Sequence, residues 1–258
     1  MSIIAYIIVF TLLGSIFSLI GGMLLLLKQK FALRISHYLA AFAAGTLLAN
    51  AFFDLLPESV EHTIEHGGDV HSIFVWVLGG IVLFFLLERF IHWFHHAHIH
   101  PHDDSHTKPT VPLVVLGDTM HNFIDGLVIG ATFMVSIPLG IMTTLAVAAH
   151  EIPQEIGDFG ILLNKGMKRT KIITINILSA AVSIVGALIA YSVGESSEEM
   201  IPIFLAITAG FFIYISLADL IPEIYNNKNK GRAYVESAMV LVGIATIYIL
   251  TTIFSHSH

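Results

Sequence analysis

Two neighbouring apolar segments carry imidazole, carboxylate and amide groups at the spacing of one helical turn. His121 and Asp125 are four residues apart in the first segment, and His150 and Gln154 are four apart in the second. Residues at i and i+4 share one face of an α-helix, so each pair points in one direction. If the two helices pack side by side, two ring nitrogens, a carboxylate and an amide oxygen converge, and such groups bind metal ions.

The residue that follows each histidine extends this set of groups. Asn122 and Glu151 lie about 100° further round their helices and could form the edge of an adjoining site. The chain has no cysteine, so disulfides, iron–sulfur clusters and thiolate sites are excluded. Imidazole and carboxylate suit zinc first, then iron, manganese or cadmium. Pro153 lacks an N–H and frees the carbonyl of Ala149, which predicts a kink beside the site.

Interhelical hydrogen bonding is the alternative explanation for polar groups in such segments. It would account for a single histidine or asparagine. It does not account for nine polar residues on two adjacent apolar segments, because each ionisable group in a bilayer is costly. The nine are Asp118, His121, Asn122, Asp125, His150, Glu151, Gln154, Glu155 and Asp158.

The composition indicates how these segments are held. Of 258 residues, 55% are hydrophobic and 12% are charged, about half the charged fraction of a soluble domain. This excludes a nucleic-acid binder and most soluble enzymes, and it predicts an all-α polytopic membrane protein. We expect a single transmembrane domain over 1–258, with eight transmembrane helices and the metal site between the fourth and fifth. The apolar stretches fall at about 3–27, 37–57, 72–95, 111–135, 139–163, 172–193, 201–224 and 234–254.

The basic residues predict the orientation. In an eight-span arrangement all twelve Lys and Arg residues fall on one side, and the positive-inside rule makes that side cytoplasmic. We therefore expect a multi-pass protein of the cell membrane with both termini extracytoplasmic. Divalent metal ions and the lipid bilayer are the expected partners. A homodimer is left open, and nucleic acid is not expected.

Further carboxylates and histidines extend the metal-binding pattern beyond the two central segments. Carboxylates that could mark a cation path, or could simply lie at helix ends, are Asp54, Glu58, Asp118, Glu155, Asp158, Asp219 and Glu223. A His-rich cytoplasmic loop at about 96–110 predicts weaker metal binding, as a buffer or sensor. Its candidate ligands are His95, His96, His98, His100, His102 and His106.

The segments HNFIDGLVIGATF and HEIPQEIGDFGILL resemble the ZIP family of divalent-metal transporters, and most closely its subfamily with HNxxDG and HEIPHE motifs. AGTLLANAFFDLLPES and GFFIYISLADLIPE are similar to weaker motifs of that family, so the resemblance covers essentially the whole chain. It implies a binuclear site. His121, Asp125 and His150 would hold the main metal, Asn122 and Glu151 the second, and position 154 would touch the first or both.

The chain departs from the family pattern at two positions. Gln154 stands where the family motif has His or Glu, and an amide oxygen is a neutral and weaker ligand, so we expect one well-occupied metal. Asp54 stands where many members carry a histidine. The function expected is uptake of zinc, and of other divalent metals such as iron, manganese or cadmium, into the cytoplasm, with no enzymatic activity.

Two other functions remain as alternatives. One is an intramembrane zinc metalloprotease, because His150 and Glu151 begin an H-E-x-x-H-like pattern in which Glu would be the general base. The pattern ends in Gln154, so its second histidine is missing, and it leaves the polar residues of the preceding segment unexplained. The other is a metal-selective channel, which the sequence does not separate from a carrier.

Overall fold

The computed structural model describes residues 2–96, 111–225 and 230–255, and within these ranges it contains helices and no strand. The α-helices are α1 (Ile3–Asn50), α2 (Leu56–Glu65), α3 (Val70–His96), α4 (Val111–Val135), α5 (Ile137–Asn164), α6 (Arg169–Ser196), α7 (Ile201–Tyr214), α8 (Ile221–Tyr225) and α9 (Lys230–Ser255). Two π-helical segments, Ala51–Leu55 and Ile215–Leu220, join α1 to α2 and α7 to α8, and a 3₁₀ turn, Glu198–Met200, precedes α7.

Helix α1 folds back on itself at a kink. Lys28 alone has non-helical backbone angles (φ −139°, ψ 62°). Gly14 before the kink and Asn50 after it both contact α5, at Thr144 and Thr143 respectively. A straight helix would separate Gly14 from Asn50 by roughly 54 Å at 1.5 Å per residue. The two halves of α1 therefore run past α5 in opposite directions. Where the sequence predicted a connecting loop, the chain turns within a single residue.

Five helical segments of the described ranges are long and apolar enough to cross a membrane. They are Ile3–Glu65, Val70–Phe90, Arg169–Ser196, Ile201–Leu220 and Ala233–Ile253. Helices α4 and α5 are 25 and 28 residues long, which would also span a bilayer. They are absent from the five because their ionisable residues lower the local mean hydropathy.

Helices α4 and α5 are joined by a turn of one extended residue, Ser136 (φ −157°, ψ 153°). The Ser136 hydroxyl accepts a hydrogen bond from the backbone N–H of Leu139 at 3.2 Å and so caps α5. So short a turn makes the two helices antiparallel neighbours. Helix α5 then continues without interruption through Pro153. The kink expected at this proline stays a prediction, and π-helical geometry lies elsewhere, in the segments Ala51–Leu55 and Ile215–Leu220.

The two π-helical segments belong to a repeated sequence. The pattern A-G-x8-D-L-[LI]-P-E occurs at 44–58 and again at 209–223. A β-carbon on Gly45 would collide with the backbone of α9, and one on Gly210 with the backbone of α3. Absence of a side chain at these positions lets the helices approach closely. The second half of α1 thus packs on α9 as α7 packs on α3, around the central pair α4 and α5.

Candidate metal centre

Four side chains from α4 and α5 meet in the interior of the bundle. His121, Asp125, His150 and Glu151 each offer one ligand atom, and these four atoms all lie within 4.8 Å of one another. The two Nε2 atoms of His121 and His150 are 2.8 Å apart. Asp125 Oδ2 lies 3.5 Å from the Nε2 of His150, and Glu151 Oε1 lies 3.7 Å from that of His121. We call this group the His–Asp–Glu cluster.

The spacing of the cluster fits a tetrahedral metal ion. Ligand atoms about 2.0–2.1 Å from zinc lie about 3.3 Å apart at the corners of a tetrahedron. The distances above range from 2.8 to 3.7 Å, and His121 Nε2 lies 3.8 Å from Asp125 Oδ2. Shifts of about half an ångström or less would regularise these contacts. Asp125 Oδ2 and Glu151 Oε1 are buried without a hydrogen-bond partner, so a cation would satisfy both.

The two rings are held so that their Nε2 atoms face the cluster. The Nδ1 atom of His150 lies 3.3 Å from the carbonyl oxygen of Ala146, one turn earlier in α5. A proton on that Nδ1 donates to the carbonyl and leaves Nε2 free for a metal, as is usual for metal-binding histidines. The ring of His121 packs edge-on against Phe84 of α3, with ring centroids 5.9 Å apart.

The amide group of Asn122 lies outside the cluster. Its Nδ2 donates to Asp118 Oδ1 at 2.9 Å and lies 3.4 Å from the hydroxyl of Ser179 on α6. Glu151, which the sequence paired with Asn122 in an adjoining site, also offers a ligand atom to the cluster. Asn122, Asp125 and Glu151 together line a small cavity beside the cluster, so the adjoining site stays a prediction.

A cavity of about 370 Å³ adjoins the cluster, and we call it the His121 cavity. Its lining includes His121 of α4 and Gln154 of α5. The faces of α4 and α5 that carry the cluster histidines therefore both border the cavity. Its polar lining comprises Glu88, Asp118, His121, Gln154, Asp158 and Asp219. Glu88 was not expected from the sequence. It accepts a 2.6 Å hydrogen bond from the hydroxyl of Tyr214, which links α3 to α7.

A second cavity, of about 580 Å³, contains Asp54, and we call it the Asp54 cavity. Its ionisable lining comprises Asp54, Glu58, Glu61, His62 and Glu65. The Asp54 carboxylate accepts hydrogen bonds from the Thr251 hydroxyl at 2.7 Å and from the Asn50 amide at 3.1 Å. The repeated motif therefore supplies one aspartate to each cavity, Asp54 to this one and Asp219 to the other.

The two cavities lie on opposite sides of the cluster. Leu139 of α5 lines the Asp54 cavity and Asp158 of α5 lines the His121 cavity, about 28 Å apart along the helix. Ala146, which lies between Leu139 and the cluster residue His150 along α5, is fully buried, as are Leu47 and Asn50 of α1. The cluster is thus reached from one side of the bundle and closed to the other.

Some predicted residues fall outside what the structure describes. Glu223 lies on α8, and His95 and His96 end α3, but their side chains are not among those described. His98, His100, His102 and His106 lie outside the described residues altogether. Thr251 and Ser179, like Glu88, were missed because a lone hydroxyl or carboxylate at a helix face carries no motif of its own.

Comparison with known proteins identifies relatives of the chain. The family model described as "ZIP Zinc transporter" matches residues 2–113 and 105–251. Zinc transporter ZIP13 from Pongo abelii is 31% identical over 223 residues, which are 83% of this chain and 66% of that protein. Zinc transporter ZIP10 from Homo sapiens is 40% identical over 159 residues, 58% of this chain and 19% of that protein. Metal cation symporter ZIP14 from Xenopus tropicalis is 28% identical over an alignment of 312 residues, gaps included, that covers 92% of this chain and 67% of that protein.

The chain spans less than two thirds of the length of the first two relatives. The family model nevertheless covers almost all of it. The apolar helices add the features of a multi-pass membrane protein. The chain is therefore a member of the ZIP zinc transporter family.

Proposed function

We propose that the protein carries zinc across the membrane through the His–Asp–Glu cluster. The observation that carries this proposal is a buried set of two imidazoles and two carboxylates that opens to a cavity on one side and is closed on the other. A carrier needs such a site, because it must expose the bound ion to one side of the membrane at a time. Two of the relatives are named as zinc transporters, which supports zinc as the cargo.

The ligand types favour zinc over harder ions. We propose that His121, Asp125 and His150 hold the metal and that Glu151 completes the tetrahedron, with Gln154 as a weak or water-mediated partner. Imidazole and carboxylate also accept iron, manganese and cadmium, so these are proposed as secondary cargo. Asn122, with Glu151, would form a weak and transient second position, because a neutral amide offsets little of the repulsion between two cations.

We propose eight membrane crossings with both termini extracytoplasmic. The reversal of α1 at Lys28 supports two crossings within that helix, and the lengths of α4 and α5 support one each. The distribution of Lys and Arg then assigns the side on which α5 meets α6 to the cytoplasm. In this orientation the His121 cavity faces the cytoplasm and the Asp54 cavity faces outside, so the conformation is inward-facing.

The cavities supply a path on each side of the cluster. We propose that Asp54 and Glu58 attract the ion outside, and that Asp118, Asp158 and Asp219 receive it on the cytoplasmic side, with Glu155 behind them and Glu223 near the mouth. Carboxylate-lined clefts raise the local concentration of cations. We propose that the His-rich loop binds metal after release. Replacing its histidines by serine should then change metal accumulation more than the rate of transport in proteoliposomes.

Zinc flux into proteoliposomes tests the proposal. His121→Ala and His150→Ala should each abolish most uptake, and His71→Ala, an exposed histidine at the start of α3, should not. Uptake that saturates with zinc concentration identifies a carrier, whereas a channel would show little saturation. Wild-type flux in both cluster variants would remove the transport path from this position.

The protease alternative receives no support from the comparisons. The family to which the chain belongs is one of transporters. Gln154 occupies the position of the second histidine of H-E-x-x-H. Glu151 offers a carboxylate oxygen beside both histidines, which supports the proposed ligand role over that of a base set apart from a metal. Absence of zinc flux from reconstituted protein would reopen this alternative.

A further inference from the structure

We propose that Phe84 of α3 is a positioning residue for the metal centre, and that the hydrogen bond between Tyr214 and Glu88 keeps Phe84 in place. Phe84 holds the ring of His121 in the orientation that directs its Nε2 to the cluster. This inference rests on the proposed function, because it assumes that the His–Asp–Glu cluster binds zinc. It gives a role to three side chains that are not among the four ligands of the cluster.

The two cluster histidines are held in different ways. His150 has a partner for its outer nitrogen, since its Nδ1 lies 3.3 Å from the carbonyl oxygen of Ala146. Among the described residues, the hydrogen bonds of His121 comprise only the contact of its Nε2 with that of His150. A metal-binding histidine usually has its other ring nitrogen fixed by a hydrogen bond. The orientation of the His121 ring therefore depends on packing.

Phe84 is the aromatic partner of this ring. The two ring planes meet at 87° with their centroids 5.9 Å apart, an edge-to-face arrangement that aromatic pairs prefer. Phe84 is 7% exposed, whereas its neighbours Leu83 and Phe85 are 45% and 41% exposed, so Phe84 alone of the three is turned inward. Phe84 and His121 both line the His121 cavity. The His121 ring thus has open space beside it, and Phe84 restricts its rotation into that space.

Helix α7 holds Phe84 in turn. The Phe84 ring centroid lies 5.4 Å from those of Phe211 and Tyr214. The Tyr214 hydroxyl donates a 2.6 Å hydrogen bond to Glu88, which lies one turn after Phe84 on the same face of α3. This bond ties α7 to α3 beside Phe84 and keeps the Tyr214 ring against it.

The backbones of α3 and α7 reinforce this support. A β-carbon on Gly80, one turn before Phe84, would collide with the backbone of Ile207 on α7. Contact this close leaves the two helices little freedom to separate. The ligands of the cluster all lie on α4 and α5, so α3 and α7 act on the metal centre through Phe84 and its contact with His121.

A fixed His121 ring favours zinc over harder ions. An imidazole nitrogen suits zinc, whereas Mn²⁺ prefers oxygen ligands. With the His121 ring turned away, Asp125 and Glu151 would still offer oxygen atoms, so the cluster would discriminate less between the two metals. An edge-to-face ring pair changes an equilibrium by about two- to tenfold. Loss of the Phe84 ring should therefore weaken zinc binding by about that factor and Mn²⁺ binding by less.

Zinc and Mn²⁺ affinities of the purified full chain in detergent, measured by competition against a metal indicator, test the proposal. Phe84→Leu removes the ring and should weaken zinc binding by about two- to tenfold. Phe84→Tyr keeps the ring and should bind zinc as the wild type does. Phe133→Leu is the matched control, because Phe133 is also buried but packs on Phe10 and Tyr6. It should leave zinc affinity unchanged.

A double-mutant cycle separates positioning from general destabilisation. In a His121→Ala background the ring that Phe84 holds is gone, so Phe84→Leu should cause no further loss of zinc affinity. An equal loss in both backgrounds, an equal loss for zinc and Mn²⁺, or unchanged zinc binding in Phe84→Leu would overturn the proposal. Wild-type zinc affinity in His121→Ala alone would instead refute the cluster as the zinc site.

Two further variants complete the test. Tyr214→Phe keeps the ring but removes the hydrogen bond to Glu88, so it should weaken zinc binding in the same direction as Phe84→Leu and by no more. Unchanged zinc affinity in Tyr214→Phe would overturn the part assigned to that bond. Should Phe84→Leu fail to fold, Phe84→Met replaces it in the cycle, because a flexible methionine fills irregular gaps in a core.

Discussion

The change Asp125→Asn tests how far carboxylate charge holds the metal in the cluster. The substitution keeps the size and shape of a buried side chain and replaces one oxygen ligand by a neutral amide. Asp125 Oδ2 lies 3.5 Å from His150 Nε2 and 3.8 Å from His121 Nε2, so it faces both rings. We expect zinc binding to weaken while the protein still inserts and folds.

The ligand count sets the magnitude. Four-ligand zinc sites in small proteins bind with about 10–16 kcal/mol in total, which is about 2.5–4 kcal/mol per ligand. Loss of one ligand therefore weakens binding by a factor on the order of 10²–10³. At a zinc concentration of about 100 Kd, wild-type protein gains about 2.7 kcal/mol of stability. A hundredfold weaker Kd reduces that gain to about 0.4 kcal/mol.

The metal-free protein should respond in the opposite direction. Asp125 Oδ2 is buried without a hydrogen-bond partner, so with both neighbouring imidazoles neutral its charge costs stability when no cation is present. Metal-free Asp125→Asn should therefore unfold at the same temperature as wild type or a higher one. Thermal unfolding with and without zinc, together with competition against a zinc indicator, measures both effects.

A matched control separates charge from position. Asp69 is exposed and accepts a backbone hydrogen bond from His71 at 2.9 Å, so Asp69→Asn makes the same chemical change away from the cluster. It should leave both the zinc-dependent stabilisation and the affinity unchanged. If Asp125→Asn bound zinc within about threefold of wild type, the cluster would not be the binding site and the reasoning would fail.

Three further outcomes follow from the fold and the site. Ser196→Cys should react with an impermeant thiol reagent in intact cells and Lys168→Cys should not, and the reverse pattern would overturn the orientation. Gln154→His should tighten zinc binding and Gln154→Glu should raise occupancy of the second position, as measured by anomalous scattering at the zinc edge; two full metals in the wild type would contradict the argument from ligand charge. Gly126→Ala should destabilise the protein, because the new β-carbon would collide with the backbone of Ser183. Gly157→Ala should stabilise α5 by up to about 1 kcal/mol, because its β-carbon would meet nothing within 4 Å. Thermal unfolding that ranked the two variants the other way would refute the packing argument.

The sequence alone predicts the chemistry of the site and the class of protein. The composition indicates a membrane protein, because a helix that crosses the bilayer must be long and apolar. The i,i+4 spacing of His121 with Asp125 assigns a shared face, because helix geometry is local. The turn at Ser136 likewise follows from short-range backbone preferences, and the resemblance of the two central motifs to the ZIP family agrees with the family match.

Other features depend on how the helices meet. Glu151 joins the histidines, and Asn122 turns to Asp118 and Ser179. Helix spacing alone predicts an adjoining site for both residues, and both line a small cavity with Asp125. Which further groups each side chain meets depends on the rotation and offset of α4 against its neighbours. Close backbone contacts set these, such as that of Gly126 with Ser183 on α6.

The cavities and the π-helical segments were also decided by tertiary structure. The D-L-[LI]-P-E repeat was visible in the sequence, but its π-helical geometry and the opposite placement of Asp54 and Asp219 were not. A run of residues specifies which side chains share a face. The space between faces, and therefore whether Glu88 meets the hydroxyl of Tyr214, arises only when helices distant in sequence pack together, because close packing fixes their relative rotation and depth.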